Sequence, residues 1–257
     1  MKIKMSNYPT NPDYGGGVYR RRVRLVNSAG QVCGELEDDC HGFRVQLQHD
    51  GSVVTGVSGS ALRVPMSTCG QAIKPLQALV GIALDAPLPE VVASVRPRGN
   101  CTHWLDLALL ALAHARRDDA ERIYDVEVDD QAADSSPARA EVFLDGESVH
   151  RWMLDGTTVV KPQAFAGNPM LKGFSAWANK AFDGDEREAA LLLSKGFFVA
   201  LSRRFDMSNS SGQSALEHTN MRGACYTYSE GVMERAVRNH DVVRDFSATP
   251  EQLLTFR

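Results

Sequence analysis

The sequence predicts an α+β fold in which an antiparallel meander of strands is packed with helices. Between residues 23 and 57, apolar and polar side chains alternate in short segments, and Asp50-Gly51 separates two of them. Alternation with period two is typical of half-buried strands, and an Asp-Gly pair between such segments predicts a hairpin. Apolar residues then recur at helical spacing over 72–84. Residues 104–114 are apolar on nearly every side, which predicts a helix buried on several sides.

The first half of the chain contains four predicted strands. They cover residues 23–26, 31–36, 43–48 and 53–57. In the helix that follows, Pro75 has to lie within the first turn, because a proline farther inside removes a hydrogen bond and clashes with the preceding turn. A proline-rich stretch then leads to the buried helix.

The second half begins with a strand predicted over residues 124–128 and a hairpin about Asp145-Gly146. The two strands of that hairpin cover 140–144 and 149–154, and a short strand follows at 159–160. From Phe174 onward the pattern is helical, and we expect helices over 185–205 and 229–239.

These segments divide the chain into a flexible arm and two packed regions, with no internal sequence repeat. The arm covers 1–17, the first region 18–130 and the second region 138–257. The polar stretch over 131–137 is too short to be a long linker, so we expect the second region to pack on the first as a lid over a pocket.

Composition excludes several classes of protein. The chain has 257 residues, a net charge of −4 and a pI near 6.0, whereas nucleic-acid-binding domains usually carry a basic face. The basic run Arg20–Arg24 alternates with apolar residues and is interpreted as the solvent side of a strand. No apolar stretch approaches the length of a membrane span. We therefore expect a small-molecule substrate as partner, not nucleic acid or membrane, and a homodimer is compatible with this chain.

Five cysteines and no export signal predict a reduced, cytoplasmic protein whose thiols are free. Cys69 precedes one predicted helix and Cys101 begins another, so both thiols lie near helix N-termini, where the helix dipole favours the thiolate. His103 follows Cys101 by two residues, and His41 stands before a strand. Two thiolates and two imidazoles are ligands that zinc or ferrous iron accepts. Buried cysteines and a helix-capping histidine are the structural alternatives.

The segment from Cys40 to Leu47, followed by a hairpin, Cys69 with its helix and Cys101 with its buried helix, resembles the U-type iron–sulfur cluster assembly scaffold. The resemblance covers residues 37–117 and implies the fold of that scaffold for the first region, with a zinc or cluster site. It places Cys69 and Cys101 on the second and third cysteine ligands, and His41 or Asp39 near the first. It departs from the scaffold at Asn100, where the scaffold has histidine, and at Cys40, which is one place out of register.

The whole chain also resembles an uncharacterised bacterial family in three short sequence segments, and this second resemblance implies no activity. The segments are Leu36–Asp39 with His41, Arg63–Pro65 with Cys69, and Cys101–Asp106.

From these residues we expect a metal-dependent lyase, isomerase or hydrolase acting on a small organic acid, with aromatic acids among the candidates. One zinc or iron ion would be held by Cys69, Cys101, His41 and His103, and would polarise the substrate or activate water. Asp38, Asp39 and Asp106 would carry protons. Two alternatives stay open: a metal or iron–sulfur cluster carrier, and a metal-free cysteine enzyme with His41 or His103 as base.

Overall fold

A computed structural model describes residues 8–97, 99–131 and 136–256 of the chain. Its framework is one antiparallel sheet of eight strands in the order β4-β3-β2-β1-β5-β6-β7-β8. The α+β class with an antiparallel meander is therefore confirmed. The strands are β1 Val18–Ser28, β2 Gln31–Asp38, β3 Gly42–His49, β4 Val54–Arg63, β5 Glu121–Asp129, β6 Ala138–Leu144, β7 Glu147–Asp155 and β8 Thr158–Lys161.

The same order of elements occurs twice along the chain: four strands, a 3-10 helix, a short α-helix and a long α-helix. The first strands of the two halves, β1 and β5, pair antiparallel at the centre of the sheet, with Arg22 opposite Asp125. The two predicted regions therefore share one continuous sheet. The helices are α1 Leu88–Val95, α2 Thr102–His114, α3 Phe174–Ala181 and α4 Gly184–Ala200, with 3-10 helices at Cys69–Leu79 and Gln163–Phe165.

The long helices α2 and α4 pack on the sheet through close backbone approaches. The fully buried Trp104 of α2 lies over Gly59, where a Cβ would come within 2.4 Å of the indole ring. A Cβ on Gly196 of α4 would come within 2.6 Å of Val126 on β5. Between the two helices, Lys195 Nζ lies 3.1 Å from a carboxylate oxygen of Asp106. None of the helices in these described ranges is long and apolar enough to cross a membrane.

Three helix expectations differ from the structure. The helix predicted over 72–84 is the 3-10 helix Cys69–Leu79, and Pro75 lies inside it instead of in its first turn. Residues 229–239 contain only a 3-10 turn, Met233–Arg235, because the flanking residues take extended backbone: Val237 O accepts from Ser67 N, and Arg238 N donates to Gln213 O. Helix α1 lies inside the proline-rich stretch and was not predicted. It forms because Pro89 occupies its first turn, where no N–H is needed.

The C-terminal region, residues 205–256, wraps around the end of the first four strands. Its backbone N–H groups at Leu254 and Phe256 donate to Glu37 Oε2 over 2.6 and 3.2 Å. The described part of the predicted arm, residues 8–17, contacts this region and the sheet: Thr10 bridges to Phe205, and Gly17 N donates to an Asp130 carboxylate oxygen over 3.1 Å. Residues 1–7 of the arm and 132–135 of the polar stretch lie outside the described residues.

His114, in the last turn of α2, is fully buried, and neither ring nitrogen has a hydrogen-bond partner among the residues described. Leaving a buried polar group unpaired costs about 1–3 kcal/mol. We therefore expect His114→Leu to raise the free energy of unfolding by about 1 kcal/mol at pH 8 in urea denaturation.

The advantage of the variant should grow at acidic pH. Burial lowers the pKa of His114, so the wild type loses stability as the pH falls below the unfolded-state value of about 6.5, and the leucine variant lacks this loss. His240→Leu, at an exposed position, is the control. A less stable His114→Leu protein at pH 8 would contradict this account.

Candidate functional site

The turn between β2 and β3 is acidic and yet buried. Its backbone closes through Asp38 N, which donates to His41 O over 2.9 Å. Buried ionisable groups are uncommon in proteins unless they are paired, so this loop needs partners from elsewhere in the chain. The exposed fractions are Glu37 0%, Asp38 0%, Asp39 2%, Cys40 6% and His41 9%.

Asp38 is the centre of the hydrogen bonding in this loop. Its Oδ1 accepts from the backbone N–H groups of Cys40 and His41, both at 2.8 Å, and from His41 Nδ1 at 3.0 Å. Its Oδ2 accepts from Tyr19 Oη at 2.9 Å and from the Arg21 guanidinium at 3.0 and 2.5 Å. Burial opposes ionisation of Asp38, but His41 and Arg21 outweigh it and hold the pKa of the carboxyl well below its usual range.

His41 is held in one tautomer. Because the ionised Asp38 only accepts hydrogen bonds, Nδ1 carries the proton when the His41 ring is neutral, and Nε2 then carries the lone pair. Nε2 has no hydrogen-bond partner among the residues that the structure describes. The ring stacks on His103, with centroids 3.8 Å apart and planes at 27°.

His103, on the first turn of α2, is held in the opposite tautomer. Arg21 lies 3.2 Å from its Nε2, and since a guanidinium only donates, Nε2 accepts and the proton sits on Nδ1. Burial, followed by the charges of His41 and Arg21, lowers the pKa of His103 well below its usual value. Nδ1 is 4.0 Å from Cys101 Sγ. With its proton already on Nδ1, the neutral ring does not act as a base toward the Cys101 thiol.

Asp38, His41 and His103 are the one group of three metal-ligating side chains in the described ranges, with ligand atoms within 4.8 Å of one another. Two of the four predicted ligands, His41 and His103, are therefore brought together, while Cys69 and Cys101 lie outside the group. Arg21 already occupies Asp38 Oδ2 and His103 Nε2. A divalent ion that used these two atoms as ligands would have to displace Arg21.

The two cysteines do begin helices, as predicted, but their thiols are not acidic. Cys101 is the N-cap residue of α2, and Cys69 is the first residue of the 3-10 helix Cys69–Leu79. Burial raises the pKa of Cys101 to about 12 and also raises that of Cys69. Cys69 Sγ contacts Thr227 Oγ1 at 3.6 Å. Desolvation of the thiolate outweighs the helix termini here, contrary to the expectation from sequence.

The other two predicted catalytic carboxylates occupy different places. Asp106 pairs with Lys195 on α4 and lies outside the histidine cluster. Asp39 points the other way from its neighbour, toward Arg203, whose Nη1 is 2.7 Å from Oδ2, while Oδ1 is buried without a partner. Burial raises the pKa of Asp39 to about 7 in spite of Arg203. Asp39 and Cys40 also line a cleft of about 440 Å³ formed with the C-terminal region.

Sequence reasoning missed Tyr19, Arg21 and Arg203. The signal for Arg21 was available, because alternate residues of a strand lie on the same face. Tyr19, Arg21 and Val23 alternate along β1, and the face that they share is buried. Arg20 and Arg22 do lie on the partly exposed side, paired with Glu127 and Asp125, so the solvent-side interpretation of the basic run fails only at Arg21. Nothing in the sequence indicated that Arg203 would meet Asp39.

Comparison with known proteins adds no family to these observations. No protein-family model matches the chain, and no curated protein matches it. The resemblance to the iron–sulfur scaffold therefore stays a prediction.

We expect Asp38→Asn to lower the free energy of unfolding by about 3–5 kcal/mol, because it removes one partner of a buried charge pair and leaves Arg21 uncompensated. Asp125→Asn removes the partly exposed partner of Arg22, which lies across the other edge of β1, on β5, and should cost less than about 1 kcal/mol. Urea denaturation of both variants measures the difference. Equal losses would show that Asp38 contributes no more than a surface ion pair.

Proposed function

We propose that this protein is an acid–base enzyme in which His41 removes a proton from a small organic acid or from a water molecule. The observation that carries the proposal is the hydrogen bond of 3.0 Å between His41 Nδ1 and the buried, ionised Asp38. It leaves His41 Nε2 as a lone pair without a protein partner. An imidazole oriented by a buried carboxylate is a recurring general base in enzymes.

The surroundings of the dyad support proton transfer at Nε2. When His41 takes up a proton, the negative charge of Asp38 stabilises the imidazolium, and the other five hydrogen bonds of that carboxylate hold it in place. His103 stays neutral beside it, since its pKa is lowered, so the stacked pair carries at most one positive charge.

The reaction class that fits is proton abstraction next to a carbonyl or activation of water, which covers the isomerase, lyase and hydrolase activities expected from sequence. In the first case His41 Nε2 takes a proton from the carbon beside the carbonyl, and the imidazolium returns it to the enolate oxygen. In the second, Nε2 takes a proton from water as the oxygen attacks a carbonyl carbon.

A metal-dependent function of the same cluster is the second candidate, because the ligand atoms of Asp38, His41 and His103 lie within 4.8 Å of one another. A zinc or iron ion bound there would act as a Lewis acid. An ion held through Asp38 Oδ2 and His103 Nε2 would compete with Arg21 for these atoms, so replacement of Arg21 distinguishes the two candidates experimentally. The carrier function stays a prediction, and the cysteine-nucleophile function lacks a base at Cys101.

We expect the wild-type protein to accelerate enolisation of phenylpyruvate or hydrolysis of phenyl acetate, two probes for the two reaction types. His41→Gln, which keeps a polar group of similar size, should lower the rate by at least about 100-fold with unchanged thermal stability. Enolisation is followed by absorbance of the enol, and hydrolysis by release of phenol.

His240→Gln, at an exposed position, is the control and should keep the full rate. If neither probe reacts faster than in buffer, or if His41→Gln keeps the rate, His41 is not a general base of this kind.

The metal candidate is tested by elemental analysis of the purified protein and by titration with Co²⁺. We expect less than one equivalent of bound metal in the wild type, because Arg21 occupies Asp38 and His103, and tighter Co²⁺ binding in Arg21→Met. A stoichiometric metal ion in the wild type that is lost in His103→Gln would favour the metal-dependent function over the metal-free dyad.

A further inference from the structure

We propose that the cleft beside Asp39, the Arg238 cleft, binds a small acid that carries a carboxylate, a hydroxyl group and an apolar body. The Arg238 cleft is defined by six of its lining residues and has a volume of about 440 Å³, which is in the usual range for small-molecule sites. The defining residues are Asp39, Phe205, Ser211, Arg238, Val242 and Arg244.

Arg238 supplies the positive charge for the carboxylate. It is half-buried, yet in the described part of the chain its guanidinium donates only to Met207 Sδ, over 3.0 Å, and has no carboxylate partner. A thioether is a weak acceptor, so most of the five N–H donors are left for a ligand. A guanidinium fork matches a carboxylate with two parallel hydrogen bonds.

Arg244 adds a second cation without an acidic partner among the described residues, since its Nη1 donates to the carbonyls of Asp241 and Val243 over 2.7 and 3.0 Å. Arg203, on the same cleft, is different. Its guanidinium is engaged by Asp39, Asp130 and Asp245, with N–O distances of 2.7 to 3.3 Å. The charge available to a ligand is therefore that of Arg238 and Arg244.

Two polar oxygens of lining residues have no hydrogen-bond partner in the part of the chain that the structure describes, and they are the reason for proposing a hydroxyl group on the ligand. Asp39 is 2% exposed, and its Oδ1 is buried with no hydrogen-bond partner. Ser211 Oγ is likewise buried and unpartnered. A buried acceptor without a donor costs about 1–3 kcal/mol, and a ligand hydroxyl that reaches one of them recovers part of that cost on binding.

Phe205 and Val242 supply an apolar side, which suits a ligand whose body is a hydrocarbon or a ring. The lining carries four carboxylates besides Asp39, and all of them except the half-buried Asp206 are exposed: Asp13, Asp206, Asp241 and Asp245. They disfavour a ligand with several negative charges, so a monocarboxylate fits better than a di- or tricarboxylate or a phosphate ester.

This inference deepens the proposed function, because Asp39 and Cys40 of the cleft adjoin Asp38 and His41 of the dyad in one loop. Ligand binding in the Arg238 cleft can be measured directly, whether or not the protein turns the ligand over.

Three compounds of similar shape measure the contribution of each functional group to binding. They are 3-phenyllactate, 3-phenylpropionate, which lacks the hydroxyl, and 3-phenylpropanol, which lacks the carboxylate. Titration calorimetry with the full chain should give the tightest binding for phenyllactate and no measurable binding for phenylpropanol. Arg238→Met should weaken phenyllactate binding by about tenfold or more, which is the effect of losing one charged contact.

The matched control is Arg235→Met on the same segment, because Arg235 is exposed and contacts Gln71 instead of the cleft. It should bind phenyllactate like the wild type. Ser211→Ala should weaken phenyllactate more than phenylpropionate.

Binding of phenylpropanol as tight as that of phenyllactate, unchanged binding in Arg238→Met, or no binding of any probe at millimolar concentration each overturns the proposal. Carboxylate binding that persists in His41→Gln while catalysis is absent in the wild type supports the cleft and rejects the proposed acid–base function. Catalysis by the wild type without ligand binding in the Arg238 cleft supports the proposed acid–base function and rejects the cleft as a binding site.

Discussion

The ion pair between Asp38 and Arg21 is the interaction on which the rest of the site depends. Both side chains are almost fully buried, at 0% and 2% exposed, and neither charge could remain there alone, because an unpaired ion in a protein interior costs several kcal/mol. The pair fixes two imidazoles in opposite tautomers, since Asp38 accepts from His41 and Arg21 donates to His103. Within the stacked pair, as far as the structure describes the chain, this ion pair therefore leaves Nε2 of His41 as the acceptor nitrogen without a partner.

The outer side of the same loop depends on the C-terminal region. The Arg63 guanidinium donates to the carbonyls of Asp38 and Asp39, both at 3.0 Å or less, and to Val242 O at 2.6 Å. It also pairs with Glu37, whose second oxygen accepts from Leu254 N. The loop is thus clamped between α2 on one side and the end of the chain on the other. This arrangement explains why an acidic segment stays buried, and it makes the site a property of the whole chain instead of the first four strands.

The sequence predicted the strands well because a period of two is a local property, and all eight strands of the described sheet overlap segments that alternate or flank a turn. Helix α2 was also evident from its uniform apolarity. The site was predicted only in part, since His41, His103 and Asp38 were singled out but were assigned cysteine partners. The partners are determined by long-range contacts: Arg21 comes from β1, Arg203 from the 3-10 turn Leu201–Arg204 after α4, and Val242 from the C-terminal region. Such contacts depend on how the strands are ordered in the sheet, which no local pattern contains. The thiol expectation failed for a related reason, because helix position is visible in a sequence and burial depth is not.

The repeated order of elements sets the site of the proposed chemistry, in the first half, against an equivalent turn in the second half. A short turn joins the second and third strands of each half, β2 to β3 in the first and β6 to β7 in the second. The two turns therefore occupy the same position in the repeated order of elements. Between β6 and β7 the turn is Asp145-Gly146, with φ of 50° and 86° and both residues exposed, which is the two-residue hairpin that matches sheet twist at least cost. Between β2 and β3 the turn is residues 39–41, which have no positive φ and point into the protein. A fold that forms the simpler turn in one half has no structural need for the buried acidic loop in the other. The buried carboxylates of that loop and the arginines that compensate them carry a cost in desolvation, and such a cluster of buried, paired charges is a common feature of functional sites.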